Sequence, residues 1–146
     1  MQARHLFKAK RKDNGEWIIG NLVYSENASI GYEYMIMPTQ IIGNWSTVLK
    51  DTICQCTGLK DKNGKLIWEN DIVRFQFDND DCPFPNKYIK KRIGKVFFSD
   101  FRASWSIAIG RNGSKCLNND LFKYVQNGNR VEIIGNIFDN LELSEE

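Results

Sequence analysis

A chain of 146 residues with 42% hydrophobic and 26% charged residues suits one compact domain and lies far from a disordered composition. A run of about 18 apolar residues is absent, which argues against a helical membrane span. The formal net charge of +2 is too small to imply a nucleic-acid partner on global grounds.

In chain order, residues 6–9 form a short apolar run that leads into the turn signal Asp13-Asn14-Gly15. Residues 17–24 follow as the return strand of a hairpin, with Gly20 read as a bulge or a close approach between backbones. A polar loop at 25–29 precedes a third strand at 32–37, ended by Pro38. Residues 41–49 are apolar but irregular, and a strand at 52–56 leads into Gly58-Leu59. Lys62-Asn63-Gly64-Lys65 then predicts a tight type I′ hairpin, which needs φ > 0 at both central residues. The return strand is 65–68. The acidic knot Glu69-Asn70-Asp71 is read as a bend in which Asn70 takes the left-handed conformation and Asp71 accepts backbone N–H bonds.

Residues 71–77 and 88–99 are further strands, separated by a loop at 78–86. Phe101, Ala103, Trp105, Ile107 and Ile109 alternate strictly, so 101–109 is the clearest strand in the chain. After the turn Arg111-Asn112-Gly113, residues 116–124 suit a short helix capped by Asn118 or Asn119, with Leu121, Phe122 and Val125 turned inward. A last strand covers 131–138, and the acidic tail 141–146 is expected to fray. The spacing predicts a mainly β chain: an antiparallel barrel or sandwich core with additional hairpins and at most one or two short helices. The expected organisation is a single domain, with N-terminal strands over 1–50, a barrel-like core over 51–140 and the tail.

Candidate chemistry is sparse. Lys8, Lys10, Arg11 and Lys12 form one basic cluster, and Lys87, Lys90, Lys91, Arg92 and Lys95 form another. Such short clusters are commonly solvated loops or strand edges. A phosphate-contacting surface would use Lys90, Lys91 and Arg92, with Trp105, Trp45 or Tyr88 for base stacking. Trp105 reads more readily as core. Cys54 and Cys56 share one face of a strand, whereas Cys82 and Cys116 stand alone, so packing is favoured over zinc. The single histidine, His5, makes a poor nucleophile–base partner. An enzyme would have to use Glu69, Asp71 and Asp61 as acid–base or metal carboxylates, with Cys54 and Cys56 as a redox or metal pair. No cofactor or metal is expected. The N-terminus lacks the apolar core of a secretion signal, which gives an intracellular expectation.

The block Asp51-Thr52-Ile53-Cys54-Gln55-Cys56-Thr57-Gly58-Leu59-Lys60-Asp61-Lys62-Asn63-Gly64-Lys65, followed by Ile67-Trp68-Glu69-Asn70-Asp71-Ile72-Val73, resembles the signature of the phage YopX family. Gly15 to Gly20 and Ile133-Ile134-Gly135-Asn136-Ile137-Phe138-Asp139-Asn140 are similar to its flanking marks. Cys56 and Asn70 depart from the family's aromatic and glycine. The resemblance implies structural roles for Thr57, Gly58, Asp61, Asn63, Gly64, Glu69, Asp71, Gly135 and Asn136. It also implies a phage or prophage protein of the bacterial cytoplasm with an SH3-like barrel core and a tendency to form homo-oligomers. The leading expectation is a non-enzymatic oligomeric binding module with a phage or host protein partner; the alternative is a nucleic-acid-binding accessory protein. Self-assembly through 41–49, including Trp45, is a third reading.

Overall fold

Turn residues and alternating apolar side chains build ten strands among the described residues of the computed structural model, which are 3–27, 31–39, 45–76, 91–109, 120–126 and 128–145. The chain divides into two compact units, Met1–Gly58 and Leu59–Glu146. The division falls inside the strand that opens the central motif.

In the first unit, β1 (Phe7–Lys10), β2 (Trp17–Asn27), β3 (Gly31–Pro38), β4 (Ser46–Thr47) and β5 (Cys54–Lys60) lie in the order β4-β3-β2-β1-β5. Ala9, Ile36 and Val48 are its buried centre, with Phe7, Ile18, Leu22, Tyr34 and Ile53 packed around them. Gly20 is the expected close approach: a Cβ there would sit 2.0 Å from the Met37 carbonyl oxygen on the neighbouring strand. β3 runs one residue further than expected and includes Pro38.

The second unit begins with the end of β5, the reversal and β6 (Leu66–Trp68). The Gly64 N–H donates to the Asp61 carbonyl at 3.0 Å and the Asp61 N–H to the Lys65 carbonyl at 2.8 Å. Gly64 has φ +83°, but Asn63 is not among the positive-φ residues, so the expected type I′ turn is replaced by a type I turn over Lys62 and Asn63 followed by a left-handed glycine. The cause is the Asp61 carboxylate, whose Oδ1 accepts the N–H groups of Asn63 and Lys65, each at 2.9 Å. That Asx geometry holds Asn63 on the right-handed side.

β7 (Asp71–Gln76), β8 (Lys91–Ser99), β9 (Ser104–Ile109) and β10 (Val131–Asn136) form a four-stranded antiparallel sheet in the order β10-β7-β8-β9. No β9–β10 pairing closes it among the described residues. Ile67, Val73, Phe75, Val96, Ile107, Leu121, Tyr124 and Val131 make its core, with the Phe75 and Tyr124 rings 5.0 Å apart. β9 starts at Ser104, not at Phe101: residues 100–103 are a turn with Ala103 at φ 50°, and Phe101 is 89% exposed. The alternation continues in sequence through a segment whose backbone no longer alternates.

The helix α1 spans Leu121–Val125 and is capped by Asp120, whose side chain accepts the Phe122 N–H at 3.0 Å. Asn118 and Asn119 lie outside the described residues. Leu121 and Tyr124 face the core at helical spacing, which leaves Phe122 exposed, contrary to expectation. The tail is less free than expected: Leu141–Glu145 forms a 3-10 helix, and the Asn140 side chain accepts the Asn136 N–H at 3.2 Å.

Asn70 has φ 69°, the left-handed residue that the departure from glycine implied. Its N–H donates to Val96 and its carbonyl accepts from Ile137. Asn70→Gly is therefore expected to leave the urea midpoint within about 0.5 kcal/mol of the parent, whereas Asn70→Val should cost about 1–2 kcal/mol. Equal midpoints for the two variants would show that the bend is not held by its dihedral preference.

Candidate functional site

The residues expected to bind nucleic acid are not brought together. Lys90, Lys87 and Tyr88 lie outside the described residues, as do Cys82, Cys116, the 78–86 loop and the 111–113 turn. Lys91 is described only as the first residue of β8. Arg92 pairs with Phe75 at the start of β8, and Trp105 pairs with Phe98 six positions further along that strand, about 20 Å away. Trp105 is half-buried against the core of the second unit and meets Phe98 edge-on at 5.3 Å.

The motif residues do structural work. Asp61 is 3% exposed, and its Oδ2 accepts the Ile133 N–H of β10 at 3.0 Å while Oδ1 holds the turn. Asp71 is also 3% exposed and accepts the Trp68 N–H at 2.8 Å, as expected of the bend. Glu69 occupies the turn between them in sequence. Thr57 is buried, Gly58 has φ +80°, and Gly135 lies where the β7–β10 register shifts. Asn136 Oδ1 accepts the N–H groups of Phe138 and Asp139, each at 2.9 Å. Cys54 and Cys56 are both buried, and Cys54 Sγ donates to the Thr52 carbonyl. His5 is an exposed residue at the end of the 3-10 turn Ala3–His5.

A different constellation assembles on the first unit. Ile18 and Leu22 face its core from β2, and two residues further along the same side stands Tyr24, in register with Tyr34 of β3. Here the core gives out. Tyr24 is 50% exposed, its ring centroid is 5.0 Å from that of Tyr34, and partial burial together with Tyr34 pushes its phenol above the usual value. The segment around β4 is clamped alongside. The Val48 N–H donates to Tyr34, the Leu49 N–H to Lys10 and the Lys12 N–H to Thr47, all at 2.9–3.0 Å. Thr52 Oγ1 locks the following 3-10 helix, Lys50–Thr52, by donating to the Leu49 carbonyl and accepting the Lys10 N–H. Lys50 Nζ thereby lies 5.9 Å from the centroid of the Tyr34 ring.

The result is a cleft of about 580 Å³ lined by Tyr24, Tyr34, Leu49, Lys12, Lys50 and Glu33, together with Thr47 and Val48. Its wall combines two tyrosine rings and Leu49 with three charged side chains. A neighbouring cavity of about 320 Å³ shares Lys12 and Thr47 and adds Trp45, which is 45% exposed. Arg11 also lines this cavity but is spent on Asp13, at 3.1 and 2.8 Å, and that bond holds the Asp13 carboxyl below its usual value. The basic cluster at 8–12 is thus divided where β1 ends, since Lys12 lies in the turn beyond the strand. Lys8 and Lys10 share the opposite side of β1 with Trp17, their ammonium groups 4.7 and 5.4 Å from its ring centroid, while Lys12 lines the cleft.

Sequence reasoning named Lys12 and Trp45 but missed Tyr24, Tyr34 and Lys50. Tyr24 and Tyr34 read as ordinary strand aromatics, and only the β2–β3 register and the turn at 47–50 unite them with the lysines.

The family model described as YopX protein matches residues 6–145. The chain is also similar to the crystal structure of protein EF1440 from Enterococcus faecalis, with a TM-score of 0.53 and 21% identity over 95% of this chain and 96% of that one. That likeness concerns the fold alone. No curated protein matches the chain. Among the described residues, no helix is long and apolar enough to cross a membrane.

Proposed function

The chain belongs to the YopX protein family, and from that premise we propose that it is a phage-encoded, non-enzymatic binding module that acts as a homo-oligomer in the bacterial cytoplasm. Its binding face is the cleft of Tyr24, Tyr34, Leu49, Lys12 and Lys50. The single observation that carries the reading is this concave surface, which presents exposed aromatic and aliphatic groups beside two ammonium groups. The carboxylates available for acid–base or metal chemistry speak for binding over catalysis. Asp61 and Asp71 are buried, and their carboxylates accept backbone N–H groups that hold turns.

In this reading the second unit is the SH3-like barrel that the family resemblance implies, with β7, β8, β9 and β10 as its wall. Self-association uses the exposed Phe98, Phe101 and Phe122 of that unit, since apolar surface of this kind favours contact between copies. Sedimentation at rising concentration is expected to give a mass above that of the 16.9 kDa chain. Phe101→Ser should shift the distribution back towards it. A chain that stays at the monomer mass throughout would remove the oligomer from the reading.

The binding face is tested by affinity capture from induced or infected cells, using the parent protein and a Tyr24→Ser/Lys50→Glu variant, with nuclease-treated controls. The reading expects the captured partner to be lost with the variant. The same capture by both proteins would overturn the cleft as the binding face.

A further inference from the structure

We propose that the cleft of the first unit and its neighbouring cavity form a track for single-stranded nucleic acid. This rests on the reading that the cleft is the binding face, and it names the ligand. Tyr24 offers half of its surface, and Tyr34 stands 5.0 Å away to steady the ring. A base stacked on Tyr24 lies within the cleft to which Lys12 and Lys50 bring their charges. Bases stack on aromatic faces with little regard to sequence, and the phosphates between them are met by Lys or Arg. The second cavity repeats the arrangement with Trp45.

Lys12 lines both cavities, so one lysine is shared by the Tyr24 and Trp45 positions and is the candidate to meet a phosphate between successive bases. Two lysines against the single carboxylate of Glu33 leave the cleft with an excess of positive charge. A duplex keeps its bases stacked inside and has no free face for either ring. A free nucleotide carries one base and can engage only one of the two platforms.

The test is fluorescence anisotropy with a labelled oligothymidylate, a matching labelled duplex, and thymidine monophosphate as competitor. The oligothymidylate is expected to bind at least about tenfold more tightly than either of the others. Two phosphate contacts predict a loss of about sevenfold in affinity between about 50 and about 200 mM salt. Tyr24→Ser and Trp45→Ser should each weaken binding by about fivefold or more, with urea midpoints matching the parent as the control for folding. Absence of oligothymidylate binding at low salt overturns the proposal. So does affinity unchanged in both variants, or a monophosphate that competes as well as the oligomer. If oligothymidylate fails while capture from cells still depends on Tyr24 and Lys50, the ligand is wrong and the binding face stands. If both fail, the reading of the cleft falls as well.

Discussion

Asp61→Ala is expected to lower the stability of the second unit by about 3–4 kcal/mol, seen as a large fall in the urea midpoint. One carboxylate serves three backbone donors: Asn63 and Lys65 in the turn, and Ile133 on β10, 72 residues away. A hydrogen bond lost at a buried site costs about 1–3 kcal/mol, because the remaining group is not rehydrated. The turn donors lie on exposed residues, where water takes part of the load, so the estimate sits at the low end of the sum. Against a total stability of about 5–15 kcal/mol this is a large fraction. Asp61→Asn keeps one acceptor oxygen but turns an amide donor towards backbone donors, and about half of the loss should return. A midpoint change equivalent to less than about 1 kcal/mol for Asp61→Ala would show that this carboxylate does not tie the hairpin to β10.

Gly20→Ala is expected to be the most damaging small substitution in the first unit, at about 3 kcal/mol or more. The added methyl would lie 2.0 Å from the Met37 carbonyl oxygen, 2.7 Å from its carbon and 2.9 Å from the Pro38 Cα. All three are backbone atoms, so relief requires β2 and β3 to part, which disrupts the pairing from Gly20↔Pro38 inward. Gly15→Ala is the matched control. Gly15 has φ +72° with nothing within 4 Å of an added Cβ, so only the dihedral penalty of about 1 kcal/mol applies. The cleft is assembled on the same strand pair, so Gly20→Ala should also weaken whatever binding Tyr24 and Tyr34 support. Comparable midpoints for the two variants would mean that the strands separate at little cost.

The departures from expectation each have a local cause. Asn63-Gly64 marks a reversal wherever it occurs between apolar runs, yet the turn type depended on Asp61, whose carboxylate selects the right-handed conformation at Asn63. Phe101 fits the alternation of β9 by spacing alone, but a turn at 100–103 removes it from the strand and exposes it. Phe122 reads as a core aromatic, but helical spacing turns Leu121, Tyr124 and Val125 inward and leaves it exposed.

Legible in the amino-acid sequence were the mainly β character, a bulge or close approach at Gly20, the left-handed Asn70, the backbone-capping Asp71 and the burial of Cys54 and Cys56. Each depends on residues a few positions apart, through steric limits on φ, through pleat alternation or through a short side chain reaching its own bend. Tertiary structure alone decided that Asp61 serves β10 and that Tyr24, Tyr34, Lys12 and Lys50 share a cleft. Those groups are separated by many residues, and their meeting depends on strand register, where a shift of one position sends every side chain to the other face.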